Sequence, residues 1–134
     1  MSRPDFSGTW RFNPSKSRLQ IPLPESTVFV IDHREPHFHL ERTHVFGETS
    51  DTFVIDLTTD GQTVRKSHRD VQILARLYWD AQALVFNSHV IRGNEKGTNI
   101  VRYQLADQGR TFIALEELSL PDHKHTNTWV FDRQ

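Results

Sequence analysis

The strongest constraint on the fold is an alternating stretch near the start of the chain, Asp5-Phe6-Ser7-Gly8-Thr9-Trp10-Arg11-Phe12. Successive side chains of a β-strand point to opposite faces of the sheet, so three aromatic rings and one glycine share a face here. The glycine has no side chain, which allows another backbone or ring to approach closely. The pattern predicts a first strand whose aromatic face fills one end of a curved sheet.

Turn signals divide the rest of the chain into further strands. Asn13 and Pro14 predict one short helical turn, and Pro22 and Pro24 then exclude a regular helix from the connector. Asp60-Gly61 between two alternating runs is typical of a hairpin. We therefore expect an all-β fold, a single antiparallel up-and-down β-barrel of about ten strands. After the first strand, the predicted strands cover residues 27–33, 37–46, 52–59, 62–69, 73–80, 84–92, 98–105, 111–118 and 126–132.

Length and composition exclude several classes of protein. A chain of 134 residues forms one domain, residues 1–134, and a net charge of −1 provides no basic field for nucleic acid. No apolar run approaches the roughly 20 residues of a membrane span. Without cysteine, the chain has no disulfide, catalytic thiolate or cysteine-ligated metal. The opening residues lack the apolar core of a signal peptide; a leader removed before residue 1 and the cellular location both stay open.

The Phe-x-Gly-x-Trp pattern of residues 6–10 resembles the opening strand of the calycin β-barrels, which include the lipocalins and the fatty-acid-binding proteins. More narrowly, residues 5–16, 79–80 and 129–134 resemble a group of small bacterial lipocalin-like proteins, mostly without an assigned function. The resemblance implies the same barrel fold and the binding of a small ligand inside it.

The resemblance also implies two details of the barrel. In lipocalins, an arginine from the end of the barrel stacks over the tryptophan of this motif, so Arg133 is expected over Trp10, with Arg102 as the alternative. Fatty-acid-binding proteins carry two helices between their first two strands. The corresponding segment here is short and broken by proline, so we expect no helical lid.

Fatty-acid-binding proteins also hold a carboxylate with an Arg-x-Tyr pair on the final strand. The matching positions here are Asn127-x-Trp129 or Trp129-x-Phe131, so that arginine is absent. Any carboxylate role would therefore shift to Arg42 or Arg102.

Polar side chains share strand faces with the apolar ones. Arg42 and His44 lie in step with Leu40 and Phe46, and Asn99 lies in step with apolar residues of its own strand. A polar group in an apolar wall is costly unless protein, water or ligand pairs with it. The mixture predicts a cavity that binds a small, largely apolar or aromatic molecule and holds its polar or anionic group with Arg42 and His44. In the alternative, these two side chains lie at the barrel rim and reach solvent. The predicted ligand-binding residues are Trp10, Phe38, Arg42, His44, Trp79, Arg102 and Tyr103.

Two pairs of histidines have the spacing of a strand-borne metal site. His37-x-His39 and His123-x-His125 each place two imidazoles on one face of an extended segment. Both segments adjoin loops, and the face of the first pair is polar, so we expect exposed histidines that bind no metal, and no other cofactor. Haem held through one histidine, as in the nitrobindin-type barrels that the Gly-x-Trp start also resembles, stays an alternative.

Sequence motifs for catalysis are absent. The chain contains no Gly-x-Ser-x-Gly turn and no phosphate-binding loop, and the adjacent Glu116 and Glu117 face opposite sides of a strand. An isomerase, cyclase or dehydratase that uses interior Arg42, His44, His89 or Glu117 for acid–base chemistry stays the second hypothesis. A purely structural or partner-binding module is the third.

Overall fold

The computed structural model describes residues 3–134, and ten antiparallel strands form its single sheet. Two three-residue 3₁₀ turns, Pro14–Lys16 and Asp107–Gly109, are the only helical segments of this part of the chain, and neither could cross a membrane. The predicted all-β architecture is confirmed. The strands are β1 (Gly8–Phe12), β2 (Ser26–Arg34), β3 (His37–Phe46), β4 (Thr49–Thr58), β5 (Val64–His68), β6 (Val71–Asp80), β7 (Ala83–Arg92), β8 (Glu95–Ala106), β9 (Thr111–Ser119) and β10 (Lys124–Arg133).

Strands that follow each other along the chain pair with each other, except at one point. The order is β4-β3-β2-β1-β10-β9-β8-β7-β6-β5, so β1 pairs with β10 and brings the two ends of the chain together. Strands β4 and β5 are the two outer strands of this order and share no backbone ladder. The up-and-down order is as predicted, but the barrel is nearly closed rather than fully closed.

Several strand ends differ from the prediction by one to three residues, and two of these differences have local reasons. Strand β1 begins at Gly8 rather than Asp5, because the backbone N–H groups just before it donate to side chains instead of a ladder. The Phe6 N–H donates to His33 Nδ1 (3.2 Å), and the Ser7 hydroxyl donates to the His33 carbonyl (3.1 Å). Strand β8 already begins at Glu95, since the turn before it occupies two residues rather than the predicted five.

Trp10 is the centre of the aromatic core, and it is completely buried. Its indole Nε1 donates a hydrogen bond to the Phe6 carbonyl (3.0 Å), and the Phe112 ring lies 5.4 Å away, centroid to centroid. The guanidinium carbon of Arg133 lies 4.2 Å from the Trp10 ring centroid. The expected arginine clamp is therefore present, and Arg133 rather than Arg102 forms it.

The connector between β1 and β2 is extended after its 3₁₀ turn and lies along β10. Arg18 and Thr128 exchange backbone hydrogen bonds (2.8 and 2.7 Å), and the Gln20 N–H donates to Asn127 Oδ1 (2.7 Å). These bonds fix the connector against the barrel without a helix, and the expectation of no helical lid is confirmed.

We expect Trp10→Ala to lower the free energy of unfolding by about 3–5 kcal/mol, because it deletes a fully buried aromatic side chain and leaves a void. Urea unfolding followed by circular dichroism measures the change. The control is Arg11→Ala on the exposed face of the same strand, where we expect less than about 0.5 kcal/mol. Similar losses for the two variants would contradict the central role of Trp10.

Candidate ligand-binding site

The barrel interior contains a cavity of about 70 Å³. It lies toward the end of the barrel that carries the β3–β4 and β7–β8 turns. Six lining residues are apolar and six carry a polar group, so the wall suits a molecule with an apolar body and a polar group. The apolar residues are Phe29, Leu40, Phe53, Phe86, Val101 and Ala114, and the polar ones are Arg42, His44, Asn99, Tyr103, Glu116 and Trp129.

A second cavity of about 220 Å³ adjoins the first. Arg42, Phe53, Phe86 and Asn99 line both cavities, and His68 of β5 belongs to the second one only. Because β4 and β5 share no backbone ladder, this second cavity lies where the barrel wall is held by side chains alone. The inner cavity is thus separated from this gap by a layer of side chains rather than by backbone.

Arg42 is the cation of the cavity wall. Its Nη2 donates to Asp51 Oδ2 (3.2 Å), and its guanidinium carbon lies 5.3 Å from the Phe53 ring centroid. Burial lowers the pKa of Arg42, against the opposing effect of Asp51, yet an arginine remains charged at neutral pH. The Nε atom is buried and has no hydrogen-bond partner among residues 3–134.

Besides its contact with Arg42, Asp51 accepts hydrogen bonds from two residues at the end of β5. Its Oδ1 accepts hydrogen bonds from His68 Nε2 (2.9 Å) and Arg69 Nε (2.7 Å). Burial raises the pKa of Asp51, but the hydrogen bonds from Arg69 and His68 outweigh it and hold the pKa below its usual range. This carboxylate therefore links β4 to β5 across the gap, and it is shared between Arg42, His68 and Arg69.

His44 is a neutral group in this wall. Its Nδ1 lies 2.7 Å from the Thr27 hydroxyl, and its ring stacks on Trp129 at 5.6 Å between centroids. Burial, followed by the nearby charge of Arg42, lowers the pKa of His44 to about 4. At neutral pH the imidazole therefore offers hydrogen bonding and stacking to a ligand, but no positive charge.

Glu116 supplies the negative group of the cavity wall. Its Oε1 accepts hydrogen bonds from Asn127 Nδ2 (3.0 Å) and Trp129 Nε1 (2.9 Å), and its Oε2 accepts from Asn99 Nδ2 (3.0 Å). The fully buried Asn127 in turn accepts the Gln20 N–H of the connector. One hydrogen-bond network thus joins the connector, β10 and the cavity.

Three of the predicted ligand-binding residues line the cavity together: Arg42, His44 and Tyr103. Burial raises the pKa of Tyr103, so its hydroxyl stays protonated. Phe38 does not line the cavity; its ring is buried and lies parallel to the Tyr103 ring at 6.5 Å.

The other three predicted residues lie elsewhere. Trp10 is enclosed in the aromatic core. Trp79 lies toward the opposite end of the barrel, where its Nε1 donates to Glu35 Oε2 (3.0 Å). Arg102 lies outside the cavity and pairs with Asp80. Its position follows from strand alternation, because Val101 and Tyr103 on either side point inward.

Two acid–base candidates were assigned to the wrong side of the barrel. His89 is exposed, and Glu117 is exposed and pairs with Lys124 (3.2 Å). The inward carboxylate is Glu116, which the sequence reasoning missed. The signal was present, since Glu116 follows the buried Phe112 and Ala114 at a period of two.

The paired histidines lie on the surface at or next to the ends of β3 and β10. His39 Nδ1 contacts Asp56 (2.6 Å), and the rings of His123 and His125 are 4.8 Å apart. Within residues 3–134, no three side chains of the metal-binding types come together.

Known structures share this architecture. Secretory abundant heat soluble protein 4 from Ramazzottius varieornatus superposes with a TM-score of 0.68 at 15% identity, over 100% of this chain and 99% of that one. The chain has a lipocalin-like β-barrel fold. A mutant of the REP1-NXSQ fatty acid transporter gives 0.64 at 15% identity (96% and 97% covered), and human cRBP IV gives 0.63 at 15% (98% and 99%). No protein-family model and no curated protein matches the sequence.

We expect the depressed pKa of His44 to make the protein less stable in acid. The unfolded chain binds a proton on this histidine below about pH 6.5, whereas the folded protein does so only near pH 4, so stability is lost as the pH falls between these values. Urea unfolding measures the free energy of unfolding at pH 7 and at about pH 4.5. The decrease between these two pH values should be smaller by roughly 2 kcal/mol in His44→Gln than in the parent.

The exposed His37→Gln serves as the control for this pH effect. It should retain the acid-induced loss of the parent protein. An equal loss of unfolding free energy in His44→Gln and the parent would show that the pKa of His44 is not lowered in the folded protein.

Proposed function

We propose that the protein binds a small, largely apolar or aromatic molecule inside the barrel. The observation that carries the proposal is a cavity with a mixed apolar and polar wall, two of whose residues have a buried polar atom, Arg42 Nε and Asn99 Oδ1, without a partner among residues 3–134. A buried polar atom without a hydrogen bond costs about 1–3 kcal/mol. A bound molecule with a suitable polar group would recover that cost.

The size of the cavity limits the ligand. An apolar cavity of about 150 Å³ accommodates benzene, and the inner cavity here measures about 70 Å³. The proposed ligand is therefore small, and it extends past Phe53 and Phe86 into the adjoining space of about 220 Å³. A long unbent chain would require the wall to move.

The lining residues have distinct proposed roles. Arg42, His44 and Tyr103 contact the polar part of the ligand, while Phe29, Phe53 and their apolar neighbours cover its body. Most of the binding free energy then comes from apolar burial, at about 25 cal/mol per Å². Trp10 and Phe38 act indirectly, because they support the wall from the core.

The structural comparison supports this proposal only through the fold. One of the similar structures is named as a fatty acid transporter, so a barrel of this shape can carry a hydrophobic ligand. At 15% identity the likeness shows the fold and does not identify the ligand. The chemistry of the ligand therefore has to be argued from this chain.

A filled cavity should abolish binding without unfolding the barrel. Ala114 lines the cavity and is buried, so Ala114→Leu places a larger side chain in the proposed ligand space. We expect the affinity for toluene, measured by ¹⁵N–¹H NMR titration, to fall at least about tenfold, which requires the loss of only about 1.4 kcal/mol of ligand contact.

Ala106→Leu makes the same substitution at a position that does not line the cavity, and it should bind toluene as the parent does. Circular dichroism and the dispersion of the NMR spectrum check that both variants are folded. If toluene, benzamide and benzoate all fail to bind the parent protein, the proposed function is wrong. Equal affinities in the two folded alanine variants would place the binding outside this cavity.

A further inference from the structure

We infer that the cavity selects a neutral molecule whose polar group both donates and accepts hydrogen bonds, such as a carboxamide or an alcohol, over the corresponding carboxylate. This inference rests on the proposed function, since it specifies the ligand of the same cavity. It follows from two unpartnered atoms and from the charges that surround them.

The two unpartnered atoms are of opposite kinds. Arg42 Nε carries a hydrogen and can only donate, whereas Asn99 Oδ1 can only accept. The orientation of the Asn99 amide is fixed, because its Nδ2 donates to Glu116 Oε2 at 3.0 Å and the reverse orientation would set two acceptors against each other. Both residues line both cavities. A ligand group that reaches both atoms therefore has to accept from Arg42 and donate to Asn99.

A carboxylate satisfies only one of them. When ionised it has acceptors and no hydrogen to donate, so Asn99 Oδ1 would remain unpaired beside a second acceptor. A neutral carboxamide has a carbonyl oxygen and an N–H, and an alcohol combines both functions in one hydroxyl. Hydrogen-bond matching therefore favours the neutral molecule.

The charges of the wall point the same way. Arg42 and Glu116 are the charged lining residues, one of each sign, and the positive charge of Arg42 is already paired with Asp51 at 3.2 Å. His44 adds no positive charge at neutral pH. A carboxylate that enters this wall loses its hydration, finds no free cation and approaches Glu116, and an ion buried without a dedicated partner is strongly disfavoured.

Other charges near the wall do not reverse this balance. His68 and Arg69 bind Asp51 from the side of β5, and Arg69 is largely exposed, so its field is screened by solvent. Neither Asp51 nor Arg69 lines the inner cavity. The anionic option that the sequence leaves open for Arg42 and His44 is thus the less favourable one.

Benzamide and benzoate test the inference because they share a ring and nearly the same shape but differ in charge and in the N–H donor. NMR titration of the full ¹⁵N-labelled chain at pH 7 measures both affinities, with toluene as the probe that has no polar group. We expect benzamide to bind at least about tenfold more tightly than benzoate, the ratio that one charge-assisted hydrogen bond or an unpaired buried charge produces. Equal or tighter binding of benzoate overturns the inference and leaves the proposed function in place.

Two variants connect the preference to the named atoms. Asn99→Leu removes the acceptor, so the ratio of benzamide to toluene affinity should fall by about 3–10-fold, the worth of one neutral hydrogen bond. Glu116→Gln removes the negative charge, so the preference for benzamide over benzoate should shrink several-fold. Asn87→Leu, on the outward side of β7 and outside both cavities, should keep both ratios of the parent. Unchanged ratios in folded Asn99→Leu and Glu116→Gln would show that these residues do not select the ligand. If a variant does not fold, the comparison of benzamide with benzoate on the parent protein still tests the inference.

Discussion

The structure depends on the joint between its two ends, where Arg133 covers Trp10. The guanidinium of Arg133 donates to the Ser7 carbonyl (3.0 Å) and the Gly109 carbonyl (2.9 Å) while it lies over the indole. Gly8 makes this possible: its φ is +144°, and a Cβ at this position would lie 2.5 Å from the Arg133 Nη1 atom. The joint adds side-chain contacts to the backbone ladder between β1 and β10, and this ladder links the two runs of hairpins into one sheet.

The barrel interior divides into two parts with different physical roles. Around Trp10 and Phe112 the rings are packed and almost fully buried, which accounts for much of the stability. Toward the other end, Arg42 and Glu116 replace apolar side chains, and their hydrogen-bond partners keep the wall from collapsing onto itself. Because these two side chains are hydrogen-bonded to neighbouring residues, they line the cavity without filling it.

At the gap between β4 and β5, the cavity wall is linked to residues on the protein surface. Asp51 contacts Arg42 on one side and His68 and Arg69 on the other, so its carboxylate joins β4 to β5 where the backbone ladder is missing. Such an ionic link is weaker than a ladder and depends on charge. The part of the wall nearest the proposed ligand is therefore also the part held least firmly.

The sequence by itself determined the strands, their up-and-down order and the inward face of β3, because alternation and turn residues act over a few positions. The Arg133–Trp10 clamp was an expectation from the resemblance to the lipocalins, which the structure bears out. The sequence also indicated that Arg42 and His44 would share the interior with apolar residues. Alternation also sufficed to place Glu116 inside the barrel and Arg102 outside it. Only the tertiary structure decided which residues Glu116 contacts, that Trp79 lies toward the other end of the barrel, and how large the cavity is. These depend on which strands meet and in what register, and a pattern of period two specifies a side chain's face but not its partner.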